Sequence, residues 1–277
     1  MPRSTASPLS FPPFAGVVRK LVLANVVVFF AFLLINVVSP RFGSTLMAWL
    51  WLRPASVAIG MIWQLVTYSF LHVGLLGILF AMLTLWFCGS LLEGAYGTRW
   101  LTELYFTSVV GAAVLTTALS FTGILHLSPG AGVTGAWGGL FGVLIGIAVR
   151  MGDVEFMMFP LPFTIRAKYM VAIDILIALA IVLSNQGAMG ALLQLSGALS
   201  GYLFLRFAPR RGLAYGFSER YFSLRNAYYK AKRRRAAKKF EVYMGKQGRQ
   251  VKFDDEGRYI DPDNPQRRDP NDKRWMN

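Results

Sequence analysis

Six stretches of this 277-residue chain run for about 17–21 residues with hardly a charge: 21–38, 73–92, 100–119, 132–150, 168–184 and 187–207. About 20 apolar residues suffice for a helix to cross roughly 30 Å of hydrocarbon, so each stretch is predicted to be a transmembrane helix. The first is flanked by Arg19-Lys20 and by Ser39-Pro40. Its apolar core is too long for a signal peptide, and no small-x-small cleavage site follows it. Residues 39–71 are too long for a turn and carry Trp49, Trp51 and Trp63. Tryptophan is enriched at membrane interfaces, so this connection is predicted to hold one or two short interfacial helices.

Composition and charge narrow the function classes. Hydrophobic residues make up 55% of the chain and charged residues 16%, against about 45–50% and about 25% in soluble domains. That excludes an ordinary soluble enzyme, and disorder over most of the length. Cys88 is the one cysteine, and His72 and His126 are the two histidines, which removes disulfide frameworks and multi-cysteine metal sites. No metal or cofactor is predicted. Of the 29 basic residues, 19 lie in residues 208–277. With six spans and a cytoplasmic N-terminus, 27 Lys/Arg fall on the cytoplasmic side and only Arg41 and Arg53 on the other. The positive-inside rule therefore predicts an integral plasma (inner) membrane protein with both termini cytoplasmic.

The fourth stretch reads Gly132-Val133-Thr134-Gly135-Ala136-Trp137-Gly138-Gly139, then Gly142 and Gly146. The sixth carries Gln194-Leu195-Ser196-Gly197 and Gly201. Small residues four apart let helix backbones approach closely in lipid, where no hydrophobic drive holds helices together. These segments combine, in order, with Trp63-Gln64, Phe70-Leu71-His72, Leu91-Leu92-Glu93, Gly97-Thr98-Arg99 and Phe159-Pro160-Leu161-Pro162. Over about residues 60–207 the combination resembles the rhomboid family of intramembrane serine proteases. The resemblance implies an all-α, six-span membrane domain over 1–207 with an interfacial first loop, and structural roles for Glu93, Arg99, Gly135, Gly139, Gly197 and Gly201.

The resemblance also identifies the reacting positions, and there this chain departs. The nucleophile position is Thr134, the base position Gln194, and the two side-chain oxyanion positions are Gly77 and Ala81. The family's Trp-Arg pair in the first loop becomes Trp63-Gln64, and the aromatic that packs on its base becomes Gly138. A hydroxyl attacks only when a neighbouring base takes its proton, and the Gln194 amide does not titrate. General-base catalysis contributes about 10²–10⁴ in rate, and one oxyanion donor about 10²–10³. The expectation is a pseudoprotease with no catalytic residues, which binds transmembrane segments of other proteins. One alternative is an active endopeptidase using Thr134, with His72 or His126 as substitute base. Another is a transporter or channel with Asp174, about 9 Å into the fifth span, as its polar element. Asp174 is otherwise expected to pack inward, hydrogen-bonded, and Glu103 to pair with Arg99.

Residues 208–277 form a basic cytoplasmic tail. Phe217, Tyr221, Leu224 and Tyr228 recur at helical spacing. Lys230, Lys232, Arg233, Arg234, Arg235, Lys238 and Lys239 follow within ten residues. An amphipathic helix over about 218–244 is predicted, docking on anionic lipid at about 1 kcal/mol per cation, with nucleic acid ranked last as a partner. A small hairpin is expected near 251–260 and disorder from Pro262 onward.

Overall fold

The computed structural model describes residues 12–123, 127–157, 164–184, 187–207, 213–248, 251–253 and 259–260. The chain divides into two compact units, Met1–Gly212 and Leu213–Asn277. Among its described residues, the first is mostly helical, with one short hairpin. Five of its helices are long and apolar enough to cross a membrane: α1 (Gly16–Val38), the continuous Leu75–Tyr96, α7 (Thr98–Ser120), α9 (Ala167–Ser184) and α10 (Ala188–Phe207). Within Leu75–Tyr96, α5 (Leu75–Thr84) passes through one π-helical stretch, Leu85–Gly89, into α6 (Ser90–Tyr96).

The remaining apolar helix is shorter than expected. The fourth stretch was predicted helical from Gly132, but α8 spans Trp137–Arg150, about 21 Å at 1.5 Å per residue. Residues 132–136 are irregular backbone held inside protein, the setting in which non-helical backbone is tolerated at membrane depth. Gly135 there has φ +112°, a conformation that L side chains rarely adopt. The first helix is longer than predicted, starting at Gly16 instead of 21, because a distant carboxylate caps it.

The first connection holds more structure than one or two helices. It contains α2 (Pro40–Leu50), α3 (Pro54–Ala58), α4 (Gln64–Thr67) and a 3-10 turn over Tyr68–Phe70. Prolines begin α2 and α3 at the first helical position, where a missing N–H costs nothing. Gln64 is fully buried and ties the connection together. Its Oε1 accepts the Arg53 amide at 3.1 Å, and its Nε2 donates to the Trp49 carbonyl at 3.2 Å.

The core is a seam of α7, α8 and α10 built on small residues. A Cβ on Gly139 would lie 2.6 Å from the Tyr105 ring, and one on Gly201 would lie 2.6 Å from Gly142 Cα. A Cβ on Gly197 would collide with the Gly138 carbonyl. α8 and α10 therefore run parallel with their backbones in contact, Gly138 against Gly197 and Gly142 against Gly201. Between α8 and α9, β1 (Glu155–Met157) pairs antiparallel with β2 (Thr164–Arg166), Phe156 opposite Ile165. No strand was expected there, and the Phe159–Pro162 motif lies outside the described residues.

The second unit contains α11 (Leu213–Lys246), longer at both ends than predicted, and an antiparallel pair, β3 (Lys252–Phe253) with β4 (Tyr259–Ile260). The Phe240 and Phe253 rings meet edge-to-face at 6.2 Å. At 100° per residue, Tyr221, Leu224, Tyr228, Val242 and Tyr243 fall within one arc. The cations do not keep to the opposite face: Lys232 and Lys239 share the aromatic side, Lys230 and Arg234 lie opposite. The helix is less cleanly amphipathic than its aromatic stripe predicts. The chain from Pro262 onward lies outside the described residues.

Candidate functional site

The candidate site is the irregular segment ahead of α8, clamped residue by residue by the first connection. The Trp51 ring packs on Gly132, where a Cβ would lie 2.6 Å from Cδ2. Leu52 and Val133 exchange both backbone hydrogen bonds, at 3.0 and 2.9 Å. The Gly135 amide donates to the Tyr68 carbonyl at 3.0 Å. The Ala136 amide donates to His72 Nε2 at 3.4 Å. Thr134 stands half-buried between these fixed points.

Thr134 lies three residues ahead of α8, and the small-residue seam sets Gly138 of that helix against Gly197 of α10. Gln194 is six residues into α10, about 9 Å below its start, and is half-buried. Neither the Thr134 nor the Gln194 side chain forms a hydrogen bond among the described residues. On α5, Ala81 is fully buried, while a Cβ on Gly77 would meet nothing within 4 Å. Neither offers a side-chain donor toward the segment.

Tyr68 closes the space beside Gly138. Its side chain is fully buried, and its hydroxyl donates to the Val109 carbonyl at 2.9 Å. A Cβ on Gly138 would lie 2.6 Å from that hydroxyl and 2.9 Å from Ala112 Cβ. No aromatic could stand at position 138, because the first connection supplies one from elsewhere. Tyr68 and Gln64 thus brace the site from the first connection. Their signal in the sequence is a polar amide and a phenol in an otherwise apolar stretch.

Of the two histidines, His126 lies outside the described residues. His72 directs Nε2 at the Ala136 amide, so that lone pair is already engaged. Burial holds its imidazole below the ordinary histidine range, with the Phe70 backbone pulling weakly the other way. The neutral ring with Nε2 as acceptor is the form this geometry requires.

At the far end of the bundle, Glu93 receives three donors. The Val17 and Val18 amides reach its two oxygens at 2.8 and 3.1 Å, and the Thr98 hydroxyl reaches Oε1 at 2.6 Å. A carboxylate on the first turn of a helix satisfies orphan amides and complements the helix dipole. Arg99 Nε pairs with Glu103 Oε1 at 3.2 Å, one turn along α7. Asp174 is half-exposed on α9 and forms no hydrogen bond among the described residues. That corrects the hydrogen-bonded, inward-packed role expected for it. Beyond α8, Asp153 accepts from Lys168 at 2.7 Å, which lowers its carboxyl below the usual range. No three His, Cys, Asp or Glu side chains gather to hold a metal ion among the described residues. On α11, Lys232, Arg233, Arg234, Arg235, Lys238 and Lys239 are exposed and Lys230 is half-buried.

A comparison with curated proteins finds no match. A protein-family comparison does match, over residues 22–236, which takes in the bundle from Val22 of α1 onward and most of α11. The chain is an integral membrane protein and belongs to the family described as Eukaryotic integral membrane protein (DUF1751).

Proposed function

We propose that the chain is a rhomboid-like pseudoprotease: it binds transmembrane segments of other membrane proteins and does not cut them. The observation that carries this reading is the chemistry around Thr134. The position on α10 at which the resemblance calls for a base is an amide, Gln194. Among the described residues, His72 Nε2 is spent on the Ala136 amide. Positions 77 and 81 carry no donor. A Thr hydroxyl with no base stays protonated, and a tetrahedral oxyanion formed there would lack its side-chain hydrogen bonds. Glu93 and the glycine seam, by contrast, serve to hold the bundle together. A scaffold kept in order around a silent centre fits recognition better than hydrolysis.

The same reading has both termini cytoplasmic in the plasma (inner) membrane. It places the 1–207 bundle in the bilayer and sets the cations of α11 against anionic headgroups. Residues 208–277 then act as a tether that keeps clients close to the cytoplasmic leaflet. Site-specific photocrosslinking in membranes, with probes on the lipid-facing sides of α5 and α9, tests this. The reading expects crosslinks to intact membrane proteins. Cleaved fragments that disappear with Thr134→Ala would favour the active endopeptidase instead.

A further inference from the structure

The fifth span carries a carboxylate near its middle. Asp174 is the eighth of the 18 residues of α9, so about 10 Å of helix lies on one side of it and about 15 Å on the other. Buried Val171 and Ala178 stand one turn before it and one turn after. Asp174 therefore belongs to the packed side of α9, at its edge, and is partly exposed. Its neighbours Ile173, Leu176 and Ile177 are apolar and exposed. The carboxylate has no hydrogen bond and no ion pair among the described residues. α9 packs on α8 and α10, and α8 also packs on the Leu75–Tyr96 span. α9 and the Leu75–Tyr96 span make no extended contact with each other, yet Asp174 stands close enough to that span for its charge to act on Cys88. Asp174 thus borders the cleft between these two helices.

We infer that Asp174 selects the client: the transmembrane segment bound in this cleft carries a Lys or Arg near the middle of its span, and that cation pairs with the Asp174 carboxylate. The inference deepens the client-binding reading and rests on it. Charge and depth together choose the occupant. An ionisable group inside a bilayer is costly and is normally paired, and the bundle supplies no pair. Phospholipid cannot supply one, because its donors stand in the headgroup layer, about 10 Å of helix away. A second copy of this chain cannot either: every Lys and Arg of the described spanning helices lies within five residues of a helix end. A metal ion would need further ligands, and no three His, Cys, Asp or Glu side chains gather among the described residues. What meets the requirement is a cation carried to that depth on another chain's helix. That cation is itself costly in lipid until it is paired, so each charge satisfies the other. Partial exposure leaves the carboxylate within reach, and the apolar residues around it suit the rest of such a helix.

Fluorescence energy transfer between the labelled full chain in phosphatidylcholine nanodiscs and synthetic transmembrane peptides tests it. Each peptide has a span of about 20 Leu and Ala residues, with Lys, Leu or Glu at its central position. The wild type is expected to bind the Lys peptide about tenfold more tightly than the Leu peptide, the effect of one hydrogen-bonded charge, and the Glu peptide no better than the Leu peptide. Asp174→Asn is expected to bind the Lys and Leu peptides alike. Asp174→Lys is expected to reverse the order and prefer the Glu peptide, which a merely structural role for Asp174 would not produce. Equal binding of the Lys and Leu peptides by the wild type overturns the inference and leaves the client-binding reading standing. A Lys preference that survives in Asp174→Asn does the same. If the wild type binds none of the peptides, the inference and the client-binding reading fall together.

Discussion

Removing the Glu93 carboxylate should loosen α1 from the bundle while leaving the other helices packed. Most of α1 faces lipid, and only Val17, Val18, Leu21, Asn25 and Phe29 along it are buried. Lipid gives helices no hydrophobic reason to associate, so the polar tie at Glu93 carries a large share of the attachment. Three donors converge on the carboxylate, at 2.6, 2.8 and 3.1 Å. A hydrogen bond to a charged group contributes about 1.5–3 kcal/mol. The site is part-exposed, and water replaces some of the loss. The lower end gives about 4.5 kcal/mol for the three bonds, and water's partial replacement brings this to roughly 3–4 kcal/mol for Glu93→Ala. Glu93→Gln keeps one acceptor oxygen for the α1 amides and should lose about 1–2 kcal/mol. The assay is hydrogen exchange on the full chain in nanodiscs, read at the Val17 and Val18 amides against those of α8. The account expects those two amides to exchange at least 100-fold faster in Glu93→Ala and about tenfold faster in Glu93→Gln, with α8 unchanged. Equal protection in Glu93→Ala and wild type would refute the argument, and so would loss of protection in α8 to the same degree as in α1.

Other consequences follow from the same contacts. Gly197→Ala places a methyl against the Gly138 carbonyl, a backbone atom that cannot swing aside. Overpacking costs about 1–3 kcal/mol, so thermal unfolding in detergent should fall by several degrees, whereas Gly77→Ala, in open space, should be near neutral. His72 has a folded pKa below its unfolded value of about 6.5. Its contribution is therefore full above pH 6.5 and is lost as pH falls through the folded value. Melting temperature should drop on acidification from pH 7 more steeply in wild type than in His72→Gln, which keeps an acceptor for Ala136 but does not titrate; parallel curves would argue against it. Replacing Lys232, Arg233, Lys238 and Lys239 with Gln should remove up to about 4 kcal/mol of attraction to an anionic leaflet. The readout is protection of α11 amides in phosphatidylglycerol nanodiscs over phosphatidylcholine ones, which the variant should largely lose.

The long spans were legible because apolar runs of sufficient length announce themselves without tertiary information. Two of their starts were not, and both trace to distant partners. α1 begins five residues early because Glu93, some 75 residues later, accepts its first amides. α8 begins five residues late because Leu52, Tyr68 and His72 claim the backbone of 133–136. Motif spacing marks the segment around Thr134 in the sequence. What fills the space beside Gly138 was not legible, since Tyr68 arrives from a loop whose path no periodicity encodes. Gln64 stood out as a polar residue beside Trp63, but its bonds to Arg53 and Trp49 depend on the turn that α3 makes. On α11 the aromatics from Tyr221 onward share an arc while the cations spread around the helix, because seven basic residues in ten cannot all avoid its apolar side.

The central claim is that the Thr134 centre lacks a base and oxyanion donors. Purified full-length chain, reconstituted with a fluorogenic transmembrane reporter peptide, tests it most directly. The account predicts no cleavage above the peptide-only background, and no difference between wild type and Thr134→Ala. Reporter cleavage by the wild type that vanishes in Thr134→Ala would contradict it.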